Sequence, residues 1–470
     1  MTVDQKQSEH FRKVAQNLKL AERSVREVIT LLNDGNTVPF IARYRKELTG
    51  GLDEVQLRDI QEAWTYLQNL DQRKEEVIRL IQEQDKLTDE LKKQLKAATK
   101  LQEIEDIYRP YKQKKRTKAT IAKEKGLEPL AEWILVDGNS DPSQVANKYI
   151  SEENEVLSVE DAIQGAQDII AEWISDDADA RKWIRAKTFQ HGLLQTSVKS
   201  EEDDPKQIFE MYYSYQEGIS KIVPHRILAI NRGEKEKVLR TSITPPTDSI
   251  HEYLKRKTIN NQQKSCVTLL EEAIIDSYKR LIQPSVEREI RKELTERAED
   301  QAIHIFSENL KHLLLQPPLK GKRVLGVDPA YRTGCKLAVV DDTGKMLEVS
   351  VIYPTPPKSE VEKSKAAVIQ MIKKYDIEMI AIGNGTASRE TEQFIADVIK
   401  EVEKKVVYLI VNEAGASVYS ASDLAREEFP DLQVEERSAV SIARRVQDPL
   451  AELVKIDPKS VGVGQYQHDV

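Results

Sequence analysis

Three polar residues in the last third of the chain each follow a short apolar run, a pattern typical of side chains at the edge of a sheet. They are Asp328, Asn384 and Glu413, and the runs before them are 324–327, 379–382 and 406–411. If each run is a strand and the three strands are parallel, their carboxyl ends meet at one edge. The sequence therefore predicts that the three polar side chains converge on a functional edge.

Two carboxylates and an amide at one edge are typical of a nuclease site that has lost part of its donor set. A two-metal nuclease needs several carboxylates to neutralise and orient its cations, and Asn384 supplies an oxygen but no charge. Asp448, at the end of the last predicted helix, is a further candidate ligand. No catalytic or metal-binding residue is assigned with certainty, and Mg²⁺ is expected only if the site is an active nuclease.

The same residues permit two other interpretations. Residues 383–388 lead into a helix N-terminus, which favours anions, so a phosphate could bind there without hydrolysis. Alternatively, the loop after Asp328 could cradle ATP phosphates, as in actin-like kinases. That interpretation needs a second Asp/Gly-rich phosphate loop and an adenosine-binding glycine pair, and the sequence offers neither convincingly.

The elements that would position these residues have the order of a ribonuclease-H-like α/β domain: three antiparallel strands, then alternating helix and strand. Apolar runs and turn signals predict strands over 324–327, 336–340, 347–353, 379–382 and 406–411, and helices over 359–374, 388–400, 416–427 and 438–447.

Upstream of this domain the periodicity is helical as far as about Leu315, and residues 316–321, with two prolines, break it. The predicted organisation is therefore an N-terminal helical region (1–204), a second helical region (205–320), the α/β domain (321–448) and a connecting segment (449–470). Within the second region, Gly233 is expected to end a helix that begins at Pro224, and residues 237–240 are too few to assign as a strand.

A basic run in the N-terminal region is the main candidate for contact with nucleic acid. Its cations are Lys112, Lys114, Lys115, Arg116 and Lys118. Clustered cations bind phosphates by releasing counterions, and Tyr108 and Tyr111 could stack on unpaired bases. A solvated basic loop is the simpler alternative.

A second basic element lies in residues 37–51, where Pro39 can start a short helix and two glycines follow. It carries Arg43 and Arg45. These cations could contact phosphate, or the element could simply cap a helical bundle.

The composition excludes several classes of protein. The chain has 470 residues, a net charge of −8, 32% charged and 6% aromatic residues, and two cysteines. Two cysteines cannot build a disulfide framework, no run reaches the length of a membrane span, and the N-terminus lacks the apolar core of a signal peptide. A cytoplasmic protein without membrane contact is expected.

Several segments together resemble the bacterial Tex transcription accessory proteins. They are 37–47, 108–127, 224–234, 326–336, 383–390, 412–422 and 461–470. The resemblance implies helix-turn-helix-like elements in a helical N-terminal region, a YqgF-type ribonuclease-H-like domain, nucleic-acid binding and a role in transcription. Tex-like chains continue into helix-hairpin-helix elements and an S1 domain, so it also implies that this chain stops before them.

The function expected from the residues and the resemblance together is nucleic-acid binding without catalysis. The partners would be RNA or DNA and the transcription machinery, and the ribonuclease-H-like site would be degenerate. The alternative is a Mg²⁺-dependent nuclease or junction resolvase that uses Asp328 and Glu413.

Overall fold

The computed structural model describes residues 3–112, 116–260 and 265–470. The chain forms two compact units. The first comprises Met1–Leu194, Glu217–Ser220 and Ser242–Ile290, and the second comprises Gln195–Gln216, Lys221–Thr241 and Arg291–Val470. The sequence-based boundaries at residues 204, 320 and 448 stay predictions.

The first unit is built from helices whose apolar stripes face each other, as the periodicity predicts. The helices are α1 (Val3–Leu18), α2 (Glu22–Asn33), α3 (Val38–Tyr44), α4 (Glu54–Gln82), α5 (Asp89–Ala97), α6 (Leu101–Tyr108), α7 (Lys118–Glu124), α8 (Glu128–Val136), α9 (Pro142–Ala146), α10 (Val159–Asp176) and α11 (Ala178–His191). Capping side chains fix several starts. For example, Asp53 caps α4 through the backbone N–H of Gln56, at 2.9 Å.

A buried ion network also holds the first unit together. The side chain of Arg181 is fully buried, and its guanidinium donates to Asp106, Ser285 and Glu289, with the last two bonds at 2.8 Å. Arg185 donates to the same two carboxylates. Each buried charge in the network therefore faces a charge of opposite sign, although the Nη1 atom of Arg181 has no hydrogen-bond partner among the described residues.

The middle of the chain contains three strands that the sequence did not predict. In chain order this part comprises β1 (Leu193–Val198), β2 (Ser214–Gly218), α12 (Pro224–Lys235), β3 (Leu239–Thr244), α13 (Thr247–Thr258), α14 (Val267–Asp276), a π-helical stretch (Ser277–Ile282) and α15 (Gln283–Leu314). The strands form one sheet in the order β2-β1-β3. The second region is therefore mixed in structure.

The prediction that Gly233 ends α12 is wrong. The helix runs on to Lys235. A Cβ atom at Gly233 would lie 2.6 Å from Leu239 Cδ1. The lack of a side chain at Gly233 therefore allows Leu239 to pack closely against α12.

The α/β domain has the predicted order of elements, three antiparallel strands followed by alternating helices and strands. Its elements are β4 (Val324–Asp328), β5 (Cys335–Val340), β6 (Met346–Ile352), α16 (Val361–Tyr375), β7 (Met379–Gly383), α17 (Ser388–Lys400), β8 (Val407–Val411), α18 (Ala416–Ala421), α19 (Asp423–Glu428), α20 (Val434–Gln447) and α21 (Pro449–Leu453). The sheet order is β6-β5-β4-β7-β8. Strands β4, β7 and β8 are parallel, and β5 and β6 form the antiparallel side.

Helices cover both faces of this sheet. Side chains of α16 and α17 pack on one face, and Val440, Ile442 and Val446 of α20 pack on the other. The face under α20 has a row of small residues, since Gly326 is paired with Ala338 on one side and Ala381 on the other. Consequently the backbone of α20 lies directly on the strands.

No helix in the described ranges is long and apolar enough to cross a membrane.

Candidate functional site

The structure brings Asp328, Asn384 and Glu413 to one edge of the sheet, as predicted. Asp328 is the last residue of β4, and Asn384 and Glu413 follow the parallel strands β7 and β8. The backbone N–H of Glu413 donates to the Asn384 Oδ1 atom at 3.1 Å. The Asp328 carboxylate lies close enough to raise the pKa of Glu413.

A lysine and a serine surround the Asp328 carboxylate. Lys336 stands opposite Asp328 in the β4–β5 pairing, is only 6% exposed, and donates to Thr333 Oγ1 at 2.6 Å. Ser438, in the first half of α20, hydrogen-bonds to the carboxylate. Burial raises the pKa of Asp328, while Ser438 and Lys336 oppose that rise. Its neighbours therefore offset only part of the cost of burying the carboxylate.

Two glycines make room for the Glu413 carboxylate. A Cβ atom at Gly385 would lie 1.7 Å from Glu413 Oε1, and one at Gly383 would lie 2.2 Å from Oε2. The backbone N–H of Gly385 hydrogen-bonds to the carboxylate, yet burial and Asp328 raise its pKa overall. Within the described part of the chain, Oε2 is buried and has no hydrogen-bond partner.

A buried arginine on α20 holds the loop that carries Glu413. Arg445 is 4% exposed, and its Nη1 atom donates to the carbonyls of Asn412 and Ala414, at 2.7 and 2.9 Å. These carbonyls flank Glu413 on both sides. Burial lowers the pKa of Arg445 to about 10. Its Nε and Nη2 atoms have no partner among the described residues.

Asp448 lies at the opposite edge of the sheet, so the structure does not bring it to the other three residues. Helix α20 runs antiparallel to β4: Ser438 near its start contacts Asp328, and Gln447 at its end donates to the carbonyls of Lys322 and Asp341. Asp448 instead caps α21 through the backbone N–H of Ala451, at 3.1 Å. The position near Asp328 is taken by Glu435, which raises the pKa of Asp328 further.

The donor set at this edge fits a two-metal centre poorly. Within the described residues, no group of three or more His, Cys, Asp or Glu side chains is arranged to hold a metal ion. The amide oxygen of Asn384 is already engaged by a backbone N–H group, and the Lys336 ammonium group carries positive charge beside Asp328. Two divalent cations would therefore meet few free carboxylate oxygens.

Sequence reasoning missed Lys336, Ser438 and Arg445 as parts of the site, although two signals could have found them. A hairpin between β4 and β5 puts residue 336 opposite residue 328. On α20, Ser438, Ile442 and Arg445 are spaced by four and three residues, which places them on the face that covers the sheet.

The basic run is only partly described, because Lys114 and Lys115 lie outside the described residues. Lys112, Arg116 and Lys118 are all exposed. Arg116 pairs with Glu124 at 2.8 Å, and Lys118 begins α7. Two exposed lysines of this run are therefore placed where solvent and a phosphate chain can reach them.

The prediction that Tyr108 offers its ring to unpaired bases is wrong. Tyr108 is 8% exposed and packs in the core formed by α4, α5 and α6, together with the half-buried Tyr111. The neighbouring Arg109 is also engaged, because its Nε atom lies 3.4 Å from the Oδ1 atom of Asp176. Tyr108 continues the apolar stripe of α6, so the helical periodicity indicates a core position. In this case the periodicity was a better guide to the position of Tyr108 than the cations that follow it.

Arg43 and Arg45 lie on and just after α3, and both are exposed. Arg43 is 5.5 Å from the centre of the Tyr44 ring, and Arg45 is 5.3 Å from the centre of the Phe40 ring. The cations on this element thus have exposed aromatic neighbours.

Comparison with known proteins identifies three domains in the chain. Residues 8–82 match the Tex-like protein N-terminal domain, residues 137–306 the Tex central region, and residues 322–447 the Tex protein YqgF-like domain.

Whole-chain relatives agree with these matches. The chain is 63% identical over 459 residues to the uncharacterized protein YdcI of Bacillus subtilis, covering 97% of this chain and 64% of that protein. It is 42% identical over 467 residues to the transcriptional accessory protein Tex of Neisseria gonorrhoeae (97% and 60%). It is 39% identical over 464 residues to the human S1 RNA-binding domain-containing protein 1 (94% and 46%).

The chain therefore spans about half to two thirds of the length of these relatives. Its matched regions correspond to the N-terminal, central and YqgF-like domains of Tex proteins.

Proposed function

We propose that this chain is a cytoplasmic nucleic-acid-binding accessory factor of transcription, whose ribonuclease-H-like domain is a scaffold and not a hydrolase. The observation that carries the proposal is Asn384. It stands where a two-metal nuclease would need a third carboxylate, and its oxygen is bonded to the backbone of Glu413. Relatives named for transcription and for an RNA-binding domain support the assignment to nucleic acid.

The surroundings of Asp328 support the same conclusion. A hydrogen bond from Ser438 and the nearby Lys336 cation offset part of the cost of burying the carboxylate, although burial still raises its pKa overall. A site kept for catalysis would instead leave such a carboxylate free to bind a divalent cation. The edge is then a rigid structural joint between the strands and α20.

Phosphate contacts come, in this proposal, from two basic elements of the first unit. They are the run Lys112, Lys114, Lys115, Arg116 and Lys118, and the pair Arg43 and Arg45. Helix-turn-helix-like elements, which the resemblance implies, would present these cations to RNA or DNA and contact the transcription machinery.

A paired binding and cleavage assay tests the proposal. Labelled single-stranded RNA, single-stranded DNA and a four-way junction are incubated with the chain, with Mg²⁺ and with a chelator, over a salt series. We expect binding that weakens with salt and no cleavage. Cleavage that requires Mg²⁺ and disappears in Asp328→Asn would overturn the scaffold assignment, and the absence of binding would overturn the assignment to nucleic acid.

A charge-matched pair of variants locates the contacts. Lys112→Gln/Lys118→Gln should weaken binding to all sequences and flatten the plot of log K against log salt by roughly 0.7 per lost contact on a single strand. The control is Lys92→Gln/Lys93→Gln, which removes the same charge from exposed lysines of α5. Equal slopes in the two double variants would refute the assignment of the basic run.

One observation favours a nuclease as the second candidate function. The Glu413 Oε2 atom is buried without a hydrogen-bond partner in the described structure, and Asp328 lies close enough to affect the Glu413 pKa. A single divalent cation between the two carboxylates would satisfy that oxygen. The cleavage assay above, repeated with Glu413→Gln, decides between the two functions.

A further inference from the structure

Three apolar side chains are exposed on one short basic element of the first unit. Phe40, Tyr44 and Leu48 are spaced four residues apart, and 37%, 59% and 55% of their surfaces are exposed. Isolated exposed apolar residues are common, but the Phe40 and Tyr44 rings contact each other on α3, and Leu48 follows in the turn after the helix. We call Phe40, Tyr44 and Leu48, with the neighbouring Arg43 and Arg45, the α3 platform.

The backbone under the platform is fixed by its own contacts. Thr37 caps α3 through the N–H of Phe40, and Ile41 is fully buried in the core with α2 and α4. Thr49 is also fully buried and donates to the carbonyl of Lys46 at 3.1 Å. The exposed rings therefore project from a rigid support, so binding a ligand would cost little ordering entropy.

The charge on the platform is strongly positive and uncompensated. Residues 37–51 carry three cations, Arg43, Arg45 and Lys46, against the single acid Glu47. Across the described ranges, none of the three cations has a carboxylate within the 4.0 Å of an ion pair. The two arginines lie against the two rings instead. An anionic ligand with flat apolar groups would complement both features.

We propose that the α3 platform binds single-stranded nucleic acid by stacking two unpaired bases on Phe40 and Tyr44 while the cations contact the adjoining phosphates. This inference rests on the proposed function and names the form of nucleic acid that the chain takes. Aromatic rings stack with any base, and arginine adds cation–π attraction, so the binding is tolerant of sequence.

The ring geometry selects single strands. The centres of the Phe40 and Tyr44 rings are 5.2 Å apart, and their planes are tilted by 45°. One base cannot lie flat on both rings, so each ring accepts one base from a strand whose bases are splayed apart. Bases inside a duplex are stacked on their neighbours and cannot reach the rings.

The buried position of Tyr108 strengthens the assignment. Two other tyrosines of this unit adjoin a run of cations, but Tyr108 is 8% exposed and belongs to the core, and Tyr111 is half-buried against it. Tyr44, by contrast, is more than half exposed, and the Arg43 guanidinium lies over its ring.

The experiment measures affinity for a single-stranded oligonucleotide and for the matching duplex over a salt series, with the whole chain. The test variant is Phe40→Ala/Tyr44→Ala, and Arg43→Gln/Arg45→Gln is its electrostatic counterpart. The control is Tyr66→Ala on α4, a tyrosine that is 42% exposed without neighbouring arginines in a stacking position. Thermal unfolding checks that each variant stays folded.

The proposal predicts two separate effects. Phe40→Ala/Tyr44→Ala should lose roughly fivefold or more in affinity for the single strand at every salt concentration, with an unchanged salt slope and unchanged duplex binding. Arg43→Gln/Arg45→Gln should flatten the slope.

Two results would overturn it in distinguishable ways. If the wild-type chain binds the single strand and Phe40→Ala/Tyr44→Ala binds equally well, the platform is not a base-stacking surface. If the wild-type chain binds neither oligonucleotide, the proposed function itself is wrong.

Discussion

Replacement of Gly326 by alanine is the sharpest test of how the α/β domain is packed. A Cβ atom at this position would lie 2.2 Å from the carbonyl oxygen of Ala439 and 2.9 Å from Ala443 Cβ. The obstacle is the backbone of α20 and not the end of a flexible side chain. The helix must therefore retreat by about 0.8 Å before the pair reaches 3.0 Å, a separation that Cβ contacts essentially never undercut.

The expected loss of stability in Gly326→Ala follows from the side chains that α20 buries. Val440, Ile442 and Val446 pack against the sheet, and full burial of such a side chain contributes about 1.5–3 kcal/mol. A gap of 0.5–1 Å forfeits about a quarter to a half of the attraction between packed atoms. The three side chains together should then lose about 1–4 kcal/mol, which agrees with the cost of overpacking a core, about 1–3 kcal/mol.

Hydrogen exchange of the β4 amides, followed by mass spectrometry, measures this loss of stability within the α/β domain. Unfolding of the other unit does not contribute to the exchange of these amides. The opening free energy of these amides should fall by the same 1–4 kcal/mol in Gly326→Ala. The control is Gly462→Ala, because nothing lies within 4 Å of a Cβ atom at that exposed glycine. If the two variants exchange alike, α20 does not rest on the strand backbone as described.

Two further predictions concern charged groups. Arg181→Ala should destabilise the first unit by about 1–3 kcal/mol in urea unfolding, because it removes a fully buried partner of the Asp106 and Glu289 carboxylates while Arg185 still pairs with both. Lys182→Ala, which removes an exposed ion pair from the same helix, should cost at most about 1 kcal/mol. Asp328→Asn should stabilise the protein relative to wild type more at pH 7 than at pH 4, measured by unfolding in chelator. The folded-state pKa of Asp328 is raised, so the wild-type protein loses stability as the pH rises through that pKa, and the uncharged asparagine does not. A difference independent of pH would contradict this reasoning.

The α/β domain was predictable because its signals are local and its topology is restricted. Runs of four to seven mainly apolar residues separated by turns define the strands, and parallel strands must end at one edge, so Asp328, Asn384 and Glu413 follow from the sequence. The three strands β1, β2 and β3 were missed because they are short and lie between long helices, where their pairing depends on distant partners.

The misplacement of Asp448 has a physical cause. A helix that follows β8 starts at the edge where that strand ends and returns across the sheet, so its end lies at the far edge. The prediction also started this helix at Ser438, whereas α20 begins one turn earlier, at Val434. The first turn, which carries Glu435, was therefore lost from the predicted site.

Tyr108 and Gly233 show the limit of reading residues by type. The cations near Tyr108 suggested a binding surface and the glycine suggested a helix end, but burial decided both. Tyr108 belongs to the core of the first unit, and Gly233 is needed where Leu239 and Phe209 press against α12. Such contacts between residues distant in sequence cannot be seen in a local pattern.

The space that Gly383 and Gly385 leave for the Glu413 carboxylate also restricts which substitutions this domain can accept. As long as residue 413 is a glutamate in its present position, any side chain at either glycine collides with its carboxylate. Once the glutamate is shortened to alanine or serine, that obstacle disappears. Domains that descend from this one should therefore either keep both glycines and the glutamate or replace all three residues. Substitutions at the three positions should then be correlated.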